Sequence, residues 1–102
     1  MAFFNQTFFV YILTNKNKTV LYTGVTNDLT RRFSEHQNGV NRNSFTKKYN
    51  CFYLVYFEQF RSILKAIRRE KVIKGWTRIK KTNLISSLYP DWKFLNDEFT
   101  GI

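Results

Sequence analysis

The segment from Phe8 to His36 constrains the fold more than any other part of this chain. It opens with two runs rich in β-branched and aromatic residues, Phe8–Leu13 and Val20–Val25, separated by the polar residues Asn15–Thr19. Such runs favour β-strands, and a short polar connection between them favours a hairpin turn. Alternate residues of a strand share a face, and both faces of the first run are apolar. The pattern therefore predicts a central strand followed by a hairpin partner.

Gly24 interrupts the second predicted strand at a position where a side chain would normally stand. A glycine inside a strand indicates a bulge or the close approach of another backbone or a ligand. It equally marks the simple end of a strand. The sequence leaves both interpretations open.

A short helix is predicted after the second strand. Thr26 or Asn27 can cap it, and it runs to about Asn38. Arg31 faces away from its apolar side. Four residues share the apolar side at helical spacing: Leu29, Arg32, Phe33 and His36. Two of them, Arg32 and His36, are ionisable.

The second half of the chain alternates between basic and apolar segments. Residues 39–50 read as a basic surface loop, and Phe52–Glu58 returns to strand character. Two further helices are predicted, one from a cap at Ser62 to Lys74 and one from a cap at Thr77 to Leu88. The third helix has its apolar side at Leu84, Ile85 and Leu88. After it we expect large apolar residues of the tail, Trp92, Phe94 and Leu95, to pack back on the domain.

Length and composition predict one domain. A chain of 102 residues that is 43% hydrophobic can bury a single core, and it is too short for two. We expect this domain to span residues 1–102, with its core at about 8–92, a short N-terminal lead-in and an acidic C-terminal tail.

The charge of the chain favours a polyanionic partner. Seventeen Lys and Arg against seven Asp and Glu give a net charge of +10, which suits nucleic acid first and an acidic membrane second. The single cysteine, Cys51, excludes an intramolecular disulfide and a cysteine-rich zinc site, so a reducing cytoplasmic setting is expected. The apolar run at Phe8–Leu13 is far shorter than the roughly 20 residues of a spanning helix, so we expect no membrane anchor.

Glu70 is the odd residue of the second predicted helix. It falls in the middle of the apolar stripe, and between Arg61 and Lys81 it is the one acidic residue among nine Lys and Arg. Burying a carboxylate costs several kcal/mol unless a cation or a metal compensates it. Two interpretations follow: an internal ion pair, or a functional carboxylate such as a metal ligand.

Together these residues resemble the GIY-YIG endonuclease domain, in particular its small stand-alone bacterial members. The sequence VYIL at Val10–Leu13 corresponds to the first signature triplet and YTG at Tyr22–Gly24 to the second. The similarity extends through TNDLTRRFSEH, LVYFE and AIRREKVIKGW, so that it covers about Phe8 to Trp92. The combination is much more specific than either triplet alone.

The resemblance implies an α+β fold, a small antiparallel three-stranded sheet flanked by about three helices. It also implies a metal-dependent endonuclease that hydrolyses phosphodiester bonds with Mg²⁺ or Mn²⁺, with structure-selective rather than sequence-selective action on DNA. The catalytic residues carried over are Tyr11, Tyr22, Arg32, His36 and Glu70.

Their implied roles follow the chemistry of phosphodiester hydrolysis. Glu70 would be the metal ligand and Arg32 the phosphate clamp. Tyr11 is favoured as general base with Tyr22 assisting, and the reverse assignment is nearly as good. His36 would shuttle a proton, contact phosphate, or serve as a hydrogen-bonded core residue.

Four positions depart from the family pattern. Val10 and Thr23 replace a glycine and an isoleucine of the triplets, which retains the tyrosines. Val25 stands where some members carry a catalytic lysine, and Tyr89 replaces an asparagine that often precedes the proline. The last two losses support an alternative function, a nucleic-acid-binding module with weak or lost catalysis.

Nucleic acid is the expected partner, with DNA favoured and RNA possible. Backbone phosphates would be contacted by basic residues of the loop and the later helices, Arg42, Lys47, Lys48, Lys74, Lys80 and Lys81.

Overall fold

The structure is a computed structural model, and it describes residues 6–32 and 48–96. Three strands, β1 (Phe8–Thr14), β2 (Leu21–Thr26) and β3 (Tyr53–Phe60), form an antiparallel sheet in the order β2-β1-β3. The strand with two apolar faces is therefore the central one, as its sequence predicts. Both faces of this strand are covered by packed residues, which is why its residues are apolar on both sides.

In the described part of the chain, three helical segments of a turn or more accompany the sheet, and residues 48–49, at the end of the segment predicted as a basic loop, also have helical backbone. The first, α1, begins at residue 29 and is described as far as residue 32. The others are α2 (Ile63–Lys74) and α3 (Arg78–Leu88). The predicted α+β fold is confirmed. Within the described part of the chain, no helix is long and apolar enough to cross a membrane.

The two faces of β1 belong to two separate hydrophobic clusters. Val10 and Ile12 pack with residues of α2 and α3, including Ile73 and Ile85. Tyr11 and Leu13 point to the opposite face, where they pack with residues of α1 and the C-terminal segment, Leu29 and Leu95. The sheet is thus covered on both sides, and Tyr11 lies on the side away from α2.

Local signals place the ends of α2 and α3 where the sequence predicts them. The Ser62 hydroxyl accepts a hydrogen bond from the Lys65 amide at 3.3 Å, and the Thr77 hydroxyl accepts one from the Lys80 amide at 3.3 Å. These are N-caps, which satisfy amides that have no partner inside the helix. One part of the prediction for α3 is wrong: Leu88, assigned to its apolar side, is 60% exposed, whereas Ile85 is buried.

The C-terminal segment closes the domain by pairing with the start of β3. The Leu95 amide donates to the Leu54 carbonyl at 2.8 Å, and the Asn96 side chain bonds the Leu54 amide at 2.8 Å and the Phe52 carbonyl at 2.9 Å. Leu95 is buried, as expected. The predicted N-terminal lead-in and acidic tail lie largely outside the described residues.

Candidate active site

Tyr11 occupies space that Gly24 leaves open on the neighbouring strand. The two residues are partners in the β1–β2 register, and Tyr11 is fully buried. A methyl group at position 24 would lie 2.5 Å from both Cζ and Oη of Tyr11. Of the two interpretations of Gly24, the structure supports close approach, and the group that approaches is the phenol ring of Tyr11.

Tyr22 lies beside Tyr11 on the same face of the sheet. It is two residues before Gly24 in β2, and its ring centroid is 6.3 Å from that of Tyr11, with 46° between the ring planes. Tyr22 is half-buried, whereas Tyr11 has no exposed surface. The two signature tyrosines are therefore adjacent, but Tyr22 is the one that reaches solvent.

Arg32 joins these tyrosines from the first turn of α1. Its Nε donates a hydrogen bond to Oη of Tyr11 at 3.1 Å. The helix that carries it begins one or two residues later than a cap at Asn27 or Thr26 predicts, because Asp28 is its cap: the Asp28 carboxylate accepts a hydrogen bond from the Arg31 amide at 3.0 Å. Thr26 supports this cap, since its hydroxyl accepts from the Asp28 amide at 3.2 Å.

Glu70 lies on the buried face of α2, between Ala66 and Ile73. Its carboxylate forms an ion pair with Lys74 one turn later, with Oε2 and Nζ 2.7 Å apart. The side chain of Glu70 is 11% exposed and that of Lys74 is 51% exposed. The cationic partner that a buried carboxylate requires is therefore present, and it is supplied from the same helix.

A surface cavity, which we call the β2–α2 cavity, connects α2 with the segment that carries Arg32. Its volume is about 360 Å³. It lies between the end of β2, the start of α1 and the start of α2, and its main lining residues are Val25, Asn27, Arg31, Arg32, Ile63 and Ile67.

Contacts near the start of α2 and just beyond its end show that this helix runs alongside β2. Near its start, Ile63 shares the β2–α2 cavity with Val25 at the end of β2. Beyond its end, the Arg78 guanidinium donates to the Thr19 carbonyl, just before β2, at 2.9 Å. Glu70 lies on the buried side of α2 with Ala66 and Ile73, which pack on the sheet face of Val10 and Ile12, whereas the tyrosines lie on the other face.

Direct contacts therefore join three of the predicted catalytic residues, Tyr11, Tyr22 and Arg32. The carboxylate of Glu70 contacts Lys74 instead. Among the described residues, no group of three or more His, Cys, Asp and Glu side chains is arranged to hold a metal ion. A single carboxylate is still a suitable ligand for a hard cation that retains several waters, so Glu70 fits a divalent metal.

The predicted nucleic-acid contacts are only partly described. His36, Arg42 and Lys47 lie outside the described residues. Lys48 is exposed, with Nζ 5.4 Å from the centroid of the Tyr49 ring.

The basic residues of α3 have different surroundings. Nζ of Lys80 lies 4.7 Å from the centroid of the Trp76 ring, a cation–π contact. Lys81 is half-buried rather than outward-facing. Burial lowers the pKa of Lys81, and the charges of Arg78 and Lys74 lower it further. Positive charge is therefore concentrated where α2 meets α3.

Sequence reasoning missed a second polar network on the α2 side of the sheet. The Arg69 guanidinium bonds both carboxylate oxygens of Glu58 at 2.9 Å, and the Tyr56 hydroxyl donates to the same carboxylate. Burial would raise the pKa of Glu58, but the hydrogen bonds from Arg69 and Tyr56 and the charge of Arg69 together hold it below its ordinary value of 4.5. Burial and the bond to Glu58 raise the pKa of Tyr56. The available signal was Glu58 itself, a charged residue within an apolar strand.

Comparisons with known proteins identify the family of the chain. Residues 7–83 match the family model of the GIY-YIG catalytic domain. The chain is 44% identical over 79 residues to a UPF0213 protein of Clostridium perfringens, covering 78% of this chain and 83% of that protein. It is 40% identical over 76 residues to a UPF0213 protein of Vibrio parahaemolyticus, covering 74% and 70% respectively.

A solved structure supports the same assignment. The solution NMR structure of a UPF0213 protein from Bacillus halodurans is 34% identical, covers 84% of this chain and 89% of its own, and superposes with a TM-score of 0.55. The family model and the relatives each span well over half of the chain. This chain therefore belongs to the GIY-YIG family, whose catalytic domain has a nuclease-type fold.

Proposed function

We propose that this protein is a metal-dependent endonuclease that hydrolyses phosphodiester bonds in DNA and selects its substrate by structure rather than by sequence. The observation that carries the proposal is the hydrogen bond from Arg32 Nε to Tyr11 Oη at 3.1 Å, beside the ring of Tyr22. It unites a phosphate-binding group with two phenols, in a family whose nucleases are generally dependent on divalent metal.

Arg32 is suited to hold the phosphate. The Nε bond to Tyr11 fixes the plane of its guanidinium. A guanidinium held in one plane binds phosphate oxygens with directional, charge-assisted hydrogen bonds. Charge that develops on these oxygens during hydrolysis strengthens such bonds in the transition state.

Tyr22 is the better placed general base. A base must reach the proton that it removes, and Tyr22 is half-buried while Tyr11 is enclosed and already accepts a hydrogen bond from Arg32. Positive charge near a phenol favours its phenolate form. We therefore assign the base to Tyr22 and the orientation of Arg32 to Tyr11, which reverses the order favoured by the sequence.

Glu70 would hold the divalent metal, which supplies electrostatic stabilisation of the phosphate and the leaving oxygen. Lys74 has to release the Glu70 carboxylate for this purpose. Its side chain is half exposed, so water can replace the carboxylate as its partner at low cost. His36 is retained in the proposal as a proton carrier or phosphate contact.

The test is cleavage of a panel of labelled DNA and RNA, including single strands, flaps, junctions and duplexes, with Mg²⁺ or Mn²⁺. Glu70→Gln keeps the shape of the side chain and removes its charge, and we expect it to reduce cleavage by about 100-fold or more. Asp91→Asn is the matched control, because it makes the same change at an exposed carboxylate outside the site. Unchanged metal-dependent cleavage by Glu70→Gln would contradict the proposal.

A second candidate function is nucleic-acid binding without useful catalysis. It is favoured because two candidate catalytic groups are not accessible to a substrate or a metal: Glu70 is paired with Lys74 at 2.7 Å, and Tyr11 has no exposed surface. Binding that weakens with salt is common to both functions. Binding without cleavage of any substrate in the panel would select this alternative.

A further inference from the structure

We propose that the β2–α2 cavity binds one unpaired nucleotide of the DNA substrate, next to the phosphate that Arg32 holds. This inference rests on the proposed nuclease function and names the structural feature of DNA that the site selects. It does not require the assignment of either tyrosine as general base.

The size of the cavity suits a single nucleotide. Its volume of about 360 Å³ is near the lower end of the range for small-molecule pockets, about 300–1,000 Å³. A cavity of this size admits one flat base with its sugar and excludes a base pair that remains stacked in a duplex.

The lining combines the two kinds of surface that a nucleotide needs. Its apolar residues are Phe8, Val25, Ile63 and Ile67, and its basic residues are Arg31 and Arg32. Ile63 is 50% exposed, so apolar surface at the mouth of the cavity is available to the face of a base. Apolar contact for the base and cationic contact for the phosphate are thus provided side by side.

Arg31 is held in a position to contact a base. Its Nη2 donates to Oδ1 of Asn27 at 3.1 Å, and Asn27 also lines the cavity. Guanidinium planes stack on nucleobases, and unpaired bases are commonly bound in this way. Arg32 contacts Tyr11 and lines the same cavity, so a base bound there lies directly beside the candidate catalytic residues.

The cavity provides a physical cause for structure selectivity. A base in a duplex must be unpaired and unstacked before it can enter, at a cost of a few kcal/mol. A base in a flap, a single strand or a mismatch does not incur most of this cost. DNA with unpaired nucleotides is therefore preferred over intact duplex without any reading of sequence.

The experiment compares binding of a fluorescent single strand and of the corresponding duplex at one salt concentration, in EDTA so that cleavage plays no part. The test variant is Ile63→Asp, which places a negative charge at the mouth of the cavity. Leu64→Asp is the matched control: it lies one residue later in the same first turn, is 64% exposed and does not line the cavity. A negative charge in the first turn of a helix is favourable, so both variants should fold.

We expect Ile63→Asp to weaken single-strand binding by about 10-fold or more, since it replaces apolar contact with the base by a negative charge in the cavity that holds Arg31 and Arg32. Leu64→Asp should weaken it by less than about 3-fold, the general effect of one added negative charge. Equal losses in the two variants would overturn the cavity assignment and leave the nuclease proposal standing. Failure of the wild-type protein to bind any DNA at low salt would instead remove the proposed function itself.

A second measurement uses only the wild-type protein. The fluorescent base 2-aminopurine is placed at successive unpaired positions of a flap substrate, and its emission is recorded with and without protein. One position should respond strongly, because a single base leaves the stack and enters the cavity. A uniform response along the flap would also overturn the inference.

Discussion

At the scale of single residues, the pairing of Tyr11 with Gly24 explains why the second triplet contains a glycine. The backbone at position 24 has no conformational need for glycine that the structure records, since Gly24 is not among the residues with an unusual φ. The need is steric, because the Tyr11 ring fills the position of the missing side chain. Gly24 thereby allows Tyr11 to reach Arg32.

We expect Gly24→Ala to displace the Tyr11 ring, because its Cβ would lie 2.5 Å from ring atoms of Tyr11. Forcing an extra methyl group into a packed site costs about 1–3 kcal/mol of the free energy of unfolding. The displaced phenol would also release Arg32, so cleavage should fall by more than the loss of folded protein explains. Urea denaturation and cleavage rates measure the two effects separately.

Gly75→Ala is the control for this substitution. Gly75 has a helical backbone, and a methyl group there would meet its nearest atoms at 3.6 and 3.7 Å, an ordinary contact distance. The free energy of unfolding of the Gly75→Ala variant should equal that of the wild type or exceed it by about 0.4–1 kcal/mol. Equal stability of the two alanine variants would show that Tyr11 and Gly24 are not in steric contact.

At the scale of secondary-structure elements, α2 is the piece whose orientation decides where Glu70 lies. Arg69, its neighbour in sequence, is held to Glu58 of β3 by two hydrogen bonds of 2.9 Å and contacts the Trp76 ring with Cζ 5.2 Å from its centroid. This clamp fixes the rotation of α2 about its axis. Glu70, the next residue, is thereby held on the buried side of α2 with Ala66 and Ile73.

The ion pair between Arg69 and Glu58 should make the free energy of unfolding depend on pH. Folding lowers the pKa of Glu58 from its ordinary value of 4.5. The contribution of the ionised carboxylate to the free energy of unfolding is therefore fully present above pH 4.5 and is lost as the pH falls through the lower folded-state pKa. At pH 7 we expect Glu58→Gln to reduce the free energy of unfolding by about 1–2 kcal/mol, between the values for exposed and buried pairs. Below the folded-state pKa the difference from wild type should shrink.

Urea denaturation at neutral and strongly acid pH measures this change, and Arg68→Ala provides the control. Arg68 is an exposed residue of the same helix, beside Arg69 in sequence, and its removal should change stability by less than about 0.5 kcal/mol at either pH. A deficit of Glu58→Gln that stays constant with pH would contradict the role assigned to the ionised carboxylate.

At the scale of the whole molecule, positive charge is placed at both ends of α2. Arg31 and Arg32 lie near its start, and Lys81 lies beyond its end with Arg78 and Lys74 close enough to lower its pKa. The helix has 12 residues and is therefore about 18 Å long. A DNA backbone that crosses the β2 edge can contact both, with Glu70 between them.

Lys81→Gln should reduce the salt dependence of DNA binding. A phosphate at Lys81 would relieve the repulsion from its basic neighbours, so we expect one phosphate contact there. Loss of that contact should reduce the magnitude of the negative slope of log K against log salt concentration by about 1. Titrations at several salt concentrations measure the slope. Arg68→Gln, an exposed change near the middle of α2 and about 200° around the helix from Glu70, should leave the slope nearly unchanged. If both variants change the slope equally, binding does not depend on this charge cluster.

Most of the fold was predictable because it depends on local patterns. The strand runs, the caps at Ser62 and Thr77 and the inward position of Glu70 are properties of short segments, and each is found where the sequence predicts it. The cap of α1 was assigned to Thr26 or Asn27 and is Asp28, because all three are good capping residues and only the backbone geometry distinguishes them.

The sequence by itself determined the order of the strands and helices, the family and the set of chemically competent side chains, since these follow from residue type and spacing. Only the tertiary structure decided how the side chains meet. It enclosed Tyr11 against Gly24 and Arg32, paired Glu70 with Lys74, clamped Arg69 to Glu58 and formed the β2–α2 cavity. The physical reason is that contacts between distant segments depend on how the helices pack across the two faces of the sheet, and no local pattern encodes that packing.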